Sequence, residues 1–185
     1  METGPILEFQ NVTKFNDYCP EEVALDNISC QIYQSDITTF IGLRSGGESL
    51  ILDLIAGLRS ADKGEIVYNG IPISNMSPID KDLFKSKISY VAQQNSLVDS
   101  MTVFENIAFS LTRTTKLSEN LIKQKVIEKA HELELTESLD LYPPQLSGET
   151  QKRVVLARAI ITEPEILLLD EPTTGQDPIR KKAIL

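Results

Sequence analysis

The stretch Ile166 to Asp177, ILLLDEPTTGQD, constrains this chain more than any other. Four apolar residues in a row lead into Asp170, Glu171 and Pro172. A short continuous apolar run closed by a turn signal reads as a fully buried strand, covered on both faces as in the centre of a parallel sheet. Ligands in open α/β sheets sit beyond the carboxyl ends of such strands. Two carboxylates placed there suit a divalent cation and a water. Asp170 at the strand tip would hold Mg²⁺ directly or through a water, and Glu171 would polarise the attacking water. The plain alternative is a buried strand followed by an acidic turn.

The 185 residues suffice for one domain, or for a core with a small subdomain. At 41% hydrophobic and 24% charged residues the composition is that of an ordinary globular protein. A formal net charge of −9 argues against a large nucleic-acid footprint, which needs a basic face. Cys19 and Cys30 are the only cysteines and lack metal-ligand spacing, which favours a reducing compartment. No apolar run approaches the roughly 18 residues that span a bilayer. The opening METGPILEFQ lacks the basic and apolar regions of a signal peptide. The expectation is a cytoplasmic protein, free to dock on a membrane partner.

Upstream, Ile6 to Phe9 and Ile28 to Tyr33 read as strands joined by a polar loop containing Asn16, Asp17 and Pro20. Thr38 to Ile41 forms a third β-rich run that stops at Gly42. The loop GLRSGGES, Gly42 to Ser49, follows, and then the helix-like LILDLIAGL. Strand, Gly-rich loop and helix form the setting of a phosphate-binding loop, in which backbone N–H groups wrap an anion at a helix N-terminus. In the pattern G-x-x-x-x-G-K-[ST], Gly42, Gly47 and Ser49 fall in register. Leu43, Arg44, Ser45 and Gly46 fill the loop, Leu50 follows it, and Ser49 offers a hydroxyl to Mg²⁺. The lysine position, however, is Glu48. One unit pair at about 4 Å and an effective dielectric near 20 is worth roughly 4 kcal/mol, so an inverted charge weakens nucleotide binding severely unless Glu48 turns away or is protonated. Arg44 is a candidate to fold back and replace the missing cation in part. The alternative for the whole segment is an ordinary Gly-rich turn.

Further on, GEIVYNGIPIS (Gly64 to Ser74) predicts a strand, an Asn-Gly turn and a short returning strand. Phe84 to Val91 leads into the strand ISYV, and Ala92, Gln93 and Gln94 follow it. From Asn95 to Ser147 the character is helical, with an apolar segment at Val103 to Leu111 and a longer one at Ser118 to Leu133. In the second, Leu121, Ile122, Val126, Ile127 and Ala130 lie at helical spacing and Ser118 is placed as N-cap. His131, the only histidine, reads as a surface residue. Pro143 and Pro144 end this block, and LSGETQKR begins a helix running toward Pro164.

These segments, in this order, resemble the nucleotide-binding domain of ATP-binding cassette (ABC) proteins across nearly the whole chain. The correspondence rests on Phe15, GLRSGGES, Gln93, LSGETQKR and ILLLDEP followed by Asp177. The resemblance implies an α/β P-loop NTPase fold with a mixed sheet core and a helical subdomain. Residues 1–94 would form the core with the P-loop, 95–147 the helical subdomain, and 148–185 the signature helix, Walker B strand and D-loop. It implies that Phe15 stacks on adenine and that Gln93 reaches the metal and the attacking water. It also implies that Leu146, Ser147 and Gly148 cap a γ-phosphate held by the opposite subunit, with Asp177 in the D-loop. ATP and Mg²⁺ are the implied cofactors, and a transmembrane permease and a second ABC domain, identical or not, the implied partners. The implied place is peripheral, on the inner face of the cell membrane.

Several positions depart from the family pattern. Ser45 stands where the family has glycine, Glu149 replaces the second glycine of LSGGQ, and Thr150 replaces its glutamine. The sequence ends at Leu185, near the helix opened by Asp177 and Pro178, whereas the family continues to a strand and a switch histidine. Without that strand a sheet edge is expected to lie uncovered. Within the family, SLVDSMTVFENIAFSL and EPTTGQDPI look most like the ATPase subunits of Mla/Mce-type phospholipid transporters. Two readings follow: a transport ATPase of impaired activity, or a non-catalytic scaffold, regulatory subunit or shortened inactive product.

Overall fold

The computed structural model describes residues 4–19, 21–42, 47–93 and 97–171. The chain divides into two compact units, one ending at Lys85 and the other starting at Ser86.

The first unit is built on a four-stranded antiparallel sheet, β1 (Leu7–Phe15), β2 (Val23–Ile32), β3 (Lys63–Tyr68) and β4 (Ile71–Pro72), in the order β2-β1-β3-β4. Leu7, Phe9 and Val12 of β1 are buried with Leu25 of β2 and Ile66 of β3. The ladder shifts register between Gln10 and Thr13, where Asn11 has φ 55°. Gly64 sits opposite with φ 76°, and a Cβ there would lie 2.3 Å from the Asn11 carbonyl oxygen. Only glycine lets the two backbones approach that closely. The predicted Asn-Gly turn is present: Asn69 (φ 47°) and Gly70 (φ 79°) make the left-handed pair that matches strand twist between β3 and β4.

Two helices complete this unit. Helix α1 (Glu48–Ile55) buries Ile51, Leu54 and Ile55, at the spacing that gives a helix one apolar stripe. Helix α2 (Pro78–Ser86) buries Phe84, whose ring centroid lies 4.7 Å from that of Tyr68. One predicted strand is absent. Thr38 to Ile41 joins no ladder among the described residues, and Ile37 and Ile41 are about nine-tenths exposed. Threonine and isoleucine fit a pleated, half-buried surface but do not create one.

The second unit pairs β5 (Ile88–Val91) with β6 (Ile166–Leu169) in parallel, from Ile88 opposite Ile166 to Val91 opposite Leu169. Three helices carry its core: α3 (Val103–Thr114), α4 (Glu119–Glu132) and α5 (Gly148–Ile160). Val103, Ile107 and Leu111 of α3 pack with Ile122, Val126 and Ala130 of α4 and Val154 and Ala157 of α5. Thr102 and Glu105 close a capping box at the start of α3. Ser118 takes the N-cap position of α4, but its side chain makes no capping bond; its carbonyl accepts from Leu121 and Ile122. His131 is exposed, as its position suggested.

Strand β6 departs from the fully buried reading. Leu168 is buried, whereas Leu167 and Leu169 keep 38% and 37% of their surface. Successive side chains face opposite ways, and the face carrying Leu167 and Leu169 has no full cover among the described residues.

Candidate functional site

The predicted residues fall in both units. In the first, β1 ends at Phe15, whose N–H donates to Asp62 Oδ2 at 2.8 Å. Asp62 also pairs with the Lys14 ammonium at 3.1 Å. The backbone bond and then Lys14 hold the Asp62 carboxyl below its usual range. The Phe15 ring has the Lys63 ammonium 5.6 Å from its centroid, a cation–π contact on the aromatic implied for adenine.

At the start of α1, Gly47 is the N-cap with φ 93°. A Cβ there would meet Leu25 Cδ2 at 2.9 Å and the Ala24 carbonyl at 3.3 Å, so conformation and space both require glycine. Glu48, the first residue of α1, is half-buried, and a Cβ on Gly42 would lie 2.6 Å from its Oε1. The carboxylate therefore rests against Gly42, at the helix start that would attract a phosphate. Ser49 and Leu50 lie in the first turn of α1, Ser49 exposed. Leu43, Arg44, Ser45 and Gly46 lie outside the described residues, as does Asp177.

In the second unit the parallel pair β5–β6 brings four polar groups to its carboxyl end. The Asp170 N–H donates to the Val91 carbonyl at 2.9 Å, carrying the pairing one residue past the strands. That bond fixes Asp170 at the tip, where it is 8% exposed. The Tyr90 hydroxyl donates to Asp170 Oδ2 at 3.4 Å. Next in the chain, Glu171 has φ 46°, a left-handed conformation that costs a non-glycine residue about 1–3 kcal/mol. Its Oε2 accepts from Gln93 Nε2 at 2.7 Å. The two residues expected to act on water are thus joined directly.

Among the described residues no group of three His, Cys, Asp or Glu side chains is arranged to hold a metal. A single buried carboxylate at a strand tip suits Mg²⁺, which keeps several waters and takes one or two protein carboxylates.

The segment before α5 is also ordered. Ser147 caps the helix, its Oγ accepting from the Thr150 N–H at 3.1 Å, and Gly148 begins it. Both are exposed, while Leu146 packs against the helical core. Gln151 Nε2 donates to the Pro143 carbonyl at 2.9 Å and braces the turn. Glu149, in the place of the second glycine, accepts from Arg153 at 2.7 Å.

Two side chains here were not singled out from the sequence. Tyr90 carries no motif of its own; it gains a role only through the β5–β6 register, which places it opposite Leu168. Asn106 is fully buried, with Oδ1 accepting from the Val98 N–H at 2.8 Å. Its Nδ2 donates to the carbonyls of Val98, Met101 and Thr102 at 3.0–3.1 Å, which ties the segment from Val98 to Thr102 to α3. A polar residue on the apolar stripe of Val103, Ile107 and Leu111 was the available signal.

The sequence model of the family described as ABC transporter matches residues 25–174. The spermidine/putrescine import ATP-binding protein PotA of Acetivibrio thermocellus is 37% identical over 177 residues, covering 96% of this chain and 48% of that protein. The intermembrane phospholipid transport system ATP-binding protein MlaF of Haemophilus influenzae is 34% identical over 181 residues, covering 97% of this chain and 67% of that one. The chain thus spans about half to two thirds of these relatives. The solved dimer of the ATP-binding cassette MJ0796, in a post-hydrolysis state with ADP and Pi, superposes with a TM-score of 0.81 at 29% identity. The match covers 96% of this chain and 79% of that one.

Proposed function

The chain belongs to the ABC transporter family, with the P-loop nucleotide-binding fold of that family, and from that premise we propose that it is the ATP-binding subunit of a membrane transporter. ATP and Mg²⁺ use is general to the family. The observation that carries the proposal is the group at the carboxyl end of β5 and β6: Asp170 fixed at the tip, and Glu171 bonded to Gln93. When bound, MgATP supplies the γ-phosphoryl group and the divalent charge beside it. Asp170 and the Ser49 hydroxyl are the groups we assign to the cation, with Gln93 near it. Glu171 takes the proton of the attacking water, and the Gln93 amide fixes the angle of its carboxylate. Gly47 and the first turn of α1, with Leu50, direct backbone N–H groups at the phosphates, and Phe15 takes the adenine.

The phosphate side fits less well than the water side. Glu48 places a carboxylate against Gly42, so nucleotide affinity is low and turnover slow. That contact also supports the second reading, a scaffold or regulatory subunit that does not hydrolyse ATP.

The permease is the proposed partner, on the cytoplasmic side of the cell membrane, together with a second cassette set head to tail. Among the described residues no helix is long and apolar enough to cross a membrane. A phospholipid cargo is supported by SLVDSMTVFENIAFSL, EPTTGQDPI and the MlaF relative, against a polyamine cargo from the PotA relative.

The test is phosphate release by the purified chain and its Glu171→Gln variant, with and without permease, beside calorimetric titration of MgATP. Release above background that disappears in Glu171→Gln supports the ATPase. Binding without release supports the regulatory subunit, and equal release from both proteins removes Glu171 from the reaction.

A further inference from the structure

The amino end of α5 carries a residue that works against the task proposed for it. Glu149 occupies the second position of the helix, where an acidic side chain is favoured by the backbone dipole and tends to fold over the open N–H groups. A carboxylate in that place competes with any phosphate approaching Ser147 and Gly148. Glu149 is nonetheless bonded along the helix. Its Oε1 accepts from Arg153 Nη2 at 2.7 Å, one turn further along the same face. Arg153 is itself steadied from the other side, its Nη1 donating at 2.7 Å to Glu134 Oε2, just beyond α4. The guanidinium is therefore clamped between two carboxylates, one nitrogen on each. Gly148 is exposed, and apart from its own chain neighbours and the nearby backbone of α5 nothing lies within 4 Å of where a Cβ would stand.

We infer that Arg153 is a positioning residue that draws the Glu149 carboxylate away from the amino end of α5, which leaves Ser147 and Gly148 able to receive a nucleotide phosphate carried by a second cassette. The inference rests on the proposed reading of the chain as a nucleotide-binding cassette that pairs head to tail. Glu134 acts in support, because without it Arg153 has only Glu149 to fix its own direction. Substitution of the family's second glycine is thereby compensated within the same helix.

The experiment uses the full chain carrying Glu48→Lys and Glu171→Gln, so that the P-loop charge is favourable and hydrolysis does not reset the complex. Dimer formation is followed by analytical ultracentrifugation against MgATP concentration in four proteins: this parent, Arg153→Met, Glu149→Gly, and the double variant. Arg153→Met is expected to raise the MgATP needed for half-dimerisation about tenfold or more, which is about 1.4 kcal/mol. Glu149→Gly dimerises at equal or lower MgATP. The double variant returns to the Glu149→Gly value, because no carboxylate remains to be held. A helix weakened merely by loss of Arg153 would instead show the same penalty in both backgrounds. That outcome, or no effect of Arg153→Met, overturns the inference while leaving nucleotide binding intact in calorimetry. Absence of calorimetric MgATP binding in all four proteins overturns the cassette reading and the inference together.

Discussion

Gln93 Nε2 donates to Glu171 Oε2 at 2.7 Å, although 78 residues separate the two in sequence. The bond crosses from the segment after β5 to the residue after β6, and parallel pairing of those strands makes it short. Glu171 is held in a left-handed conformation at the same place, so its carboxylate direction is set by backbone and partner alike. Replacing Gln93 by Leu should therefore lower kcat by about 10–100-fold while MgATP affinity changes little. The measurement is steady-state phosphate release combined with calorimetry. An affinity loss as large as the loss in kcat would make Gln93 a nucleotide-binding group rather than a partner of Glu171.

Asp170 and Glu171 stood out because a continuous apolar run ends there in two acids, the pattern expected where a strand tip meets a ligand. Gly47 was legible from the P-loop spacing, and its φ of 93° and the tight contact with β2 explain why no other residue fits. Gln93 carried no local signal and emerged only through resemblance, since its role depends on a bond to a residue far along the chain. Arg153 carries no signal of its own in the sequence, and its part depends on its contacts with Glu149 and Glu134. Thr38 to Ile41 shows the reverse error. Its composition is that of a strand, but pairing is a property of neighbours, and none joins it among the described residues.

Asn106 has three carbonyls and one N–H depending on it, inside a fully buried site. Asn106→Leu should destabilise the second unit by about 2–4 kcal/mol, because the loop groups at Val98 and Met101 lose their partner without gaining water. Asn106→Asp should be about as harmful despite its matching shape, since a carboxylate cannot donate to three carbonyls. Denaturant unfolding of the three proteins checks this. An aspartate variant as stable as the parent would mean that the amide donors contribute nothing.

The end of β1 should be acid-sensitive. Asp62 accepts the Phe15 N–H and pairs with Lys14, and these contacts hold its folded-state carboxyl below the ordinary value of 3.8. A carboxyl lowered on folding adds stability that is fully present above its unfolded value and is lost as pH falls through the lower, folded one. Hydrogen exchange at the Phe15 amide should therefore be protected at neutral pH and lose protection below about pH 4. In Asp62→Ala that protection should be weak throughout and should not fall further on acidification. A Phe15 amide equally protected in both proteins would remove Asp62 as its clamp.

Glu48 combines two opposing effects that a single substitution separates. Its carboxylate lies in the first turn of α1, where the helix dipole favours an anion by about 0.3–1 kcal/mol, and it rests against Gly42 where a phosphate would be received. Glu48→Lys keeps a long side chain with the same reach toward Gly42 but reverses its sign. Without nucleotide, the variant should unfold at a slightly lower temperature, because a cation now stands at the positive end of the helix. With MgATP the order should invert. Removing a repulsion and adding an attraction is worth several kcal/mol at contact distance, so affinity should rise tenfold or more even after solvent screening. Calorimetry and thermal unfolding at fixed salt read the two effects independently. Raising the salt should shrink the affinity gain, as expected for a charge that is still partly solvated. Tight MgATP binding by the unaltered chain, or no gain from Glu48→Lys, would show that the cation for the phosphates comes from elsewhere; Arg44→Ala, tested beside it, would then be the variant that loses affinity.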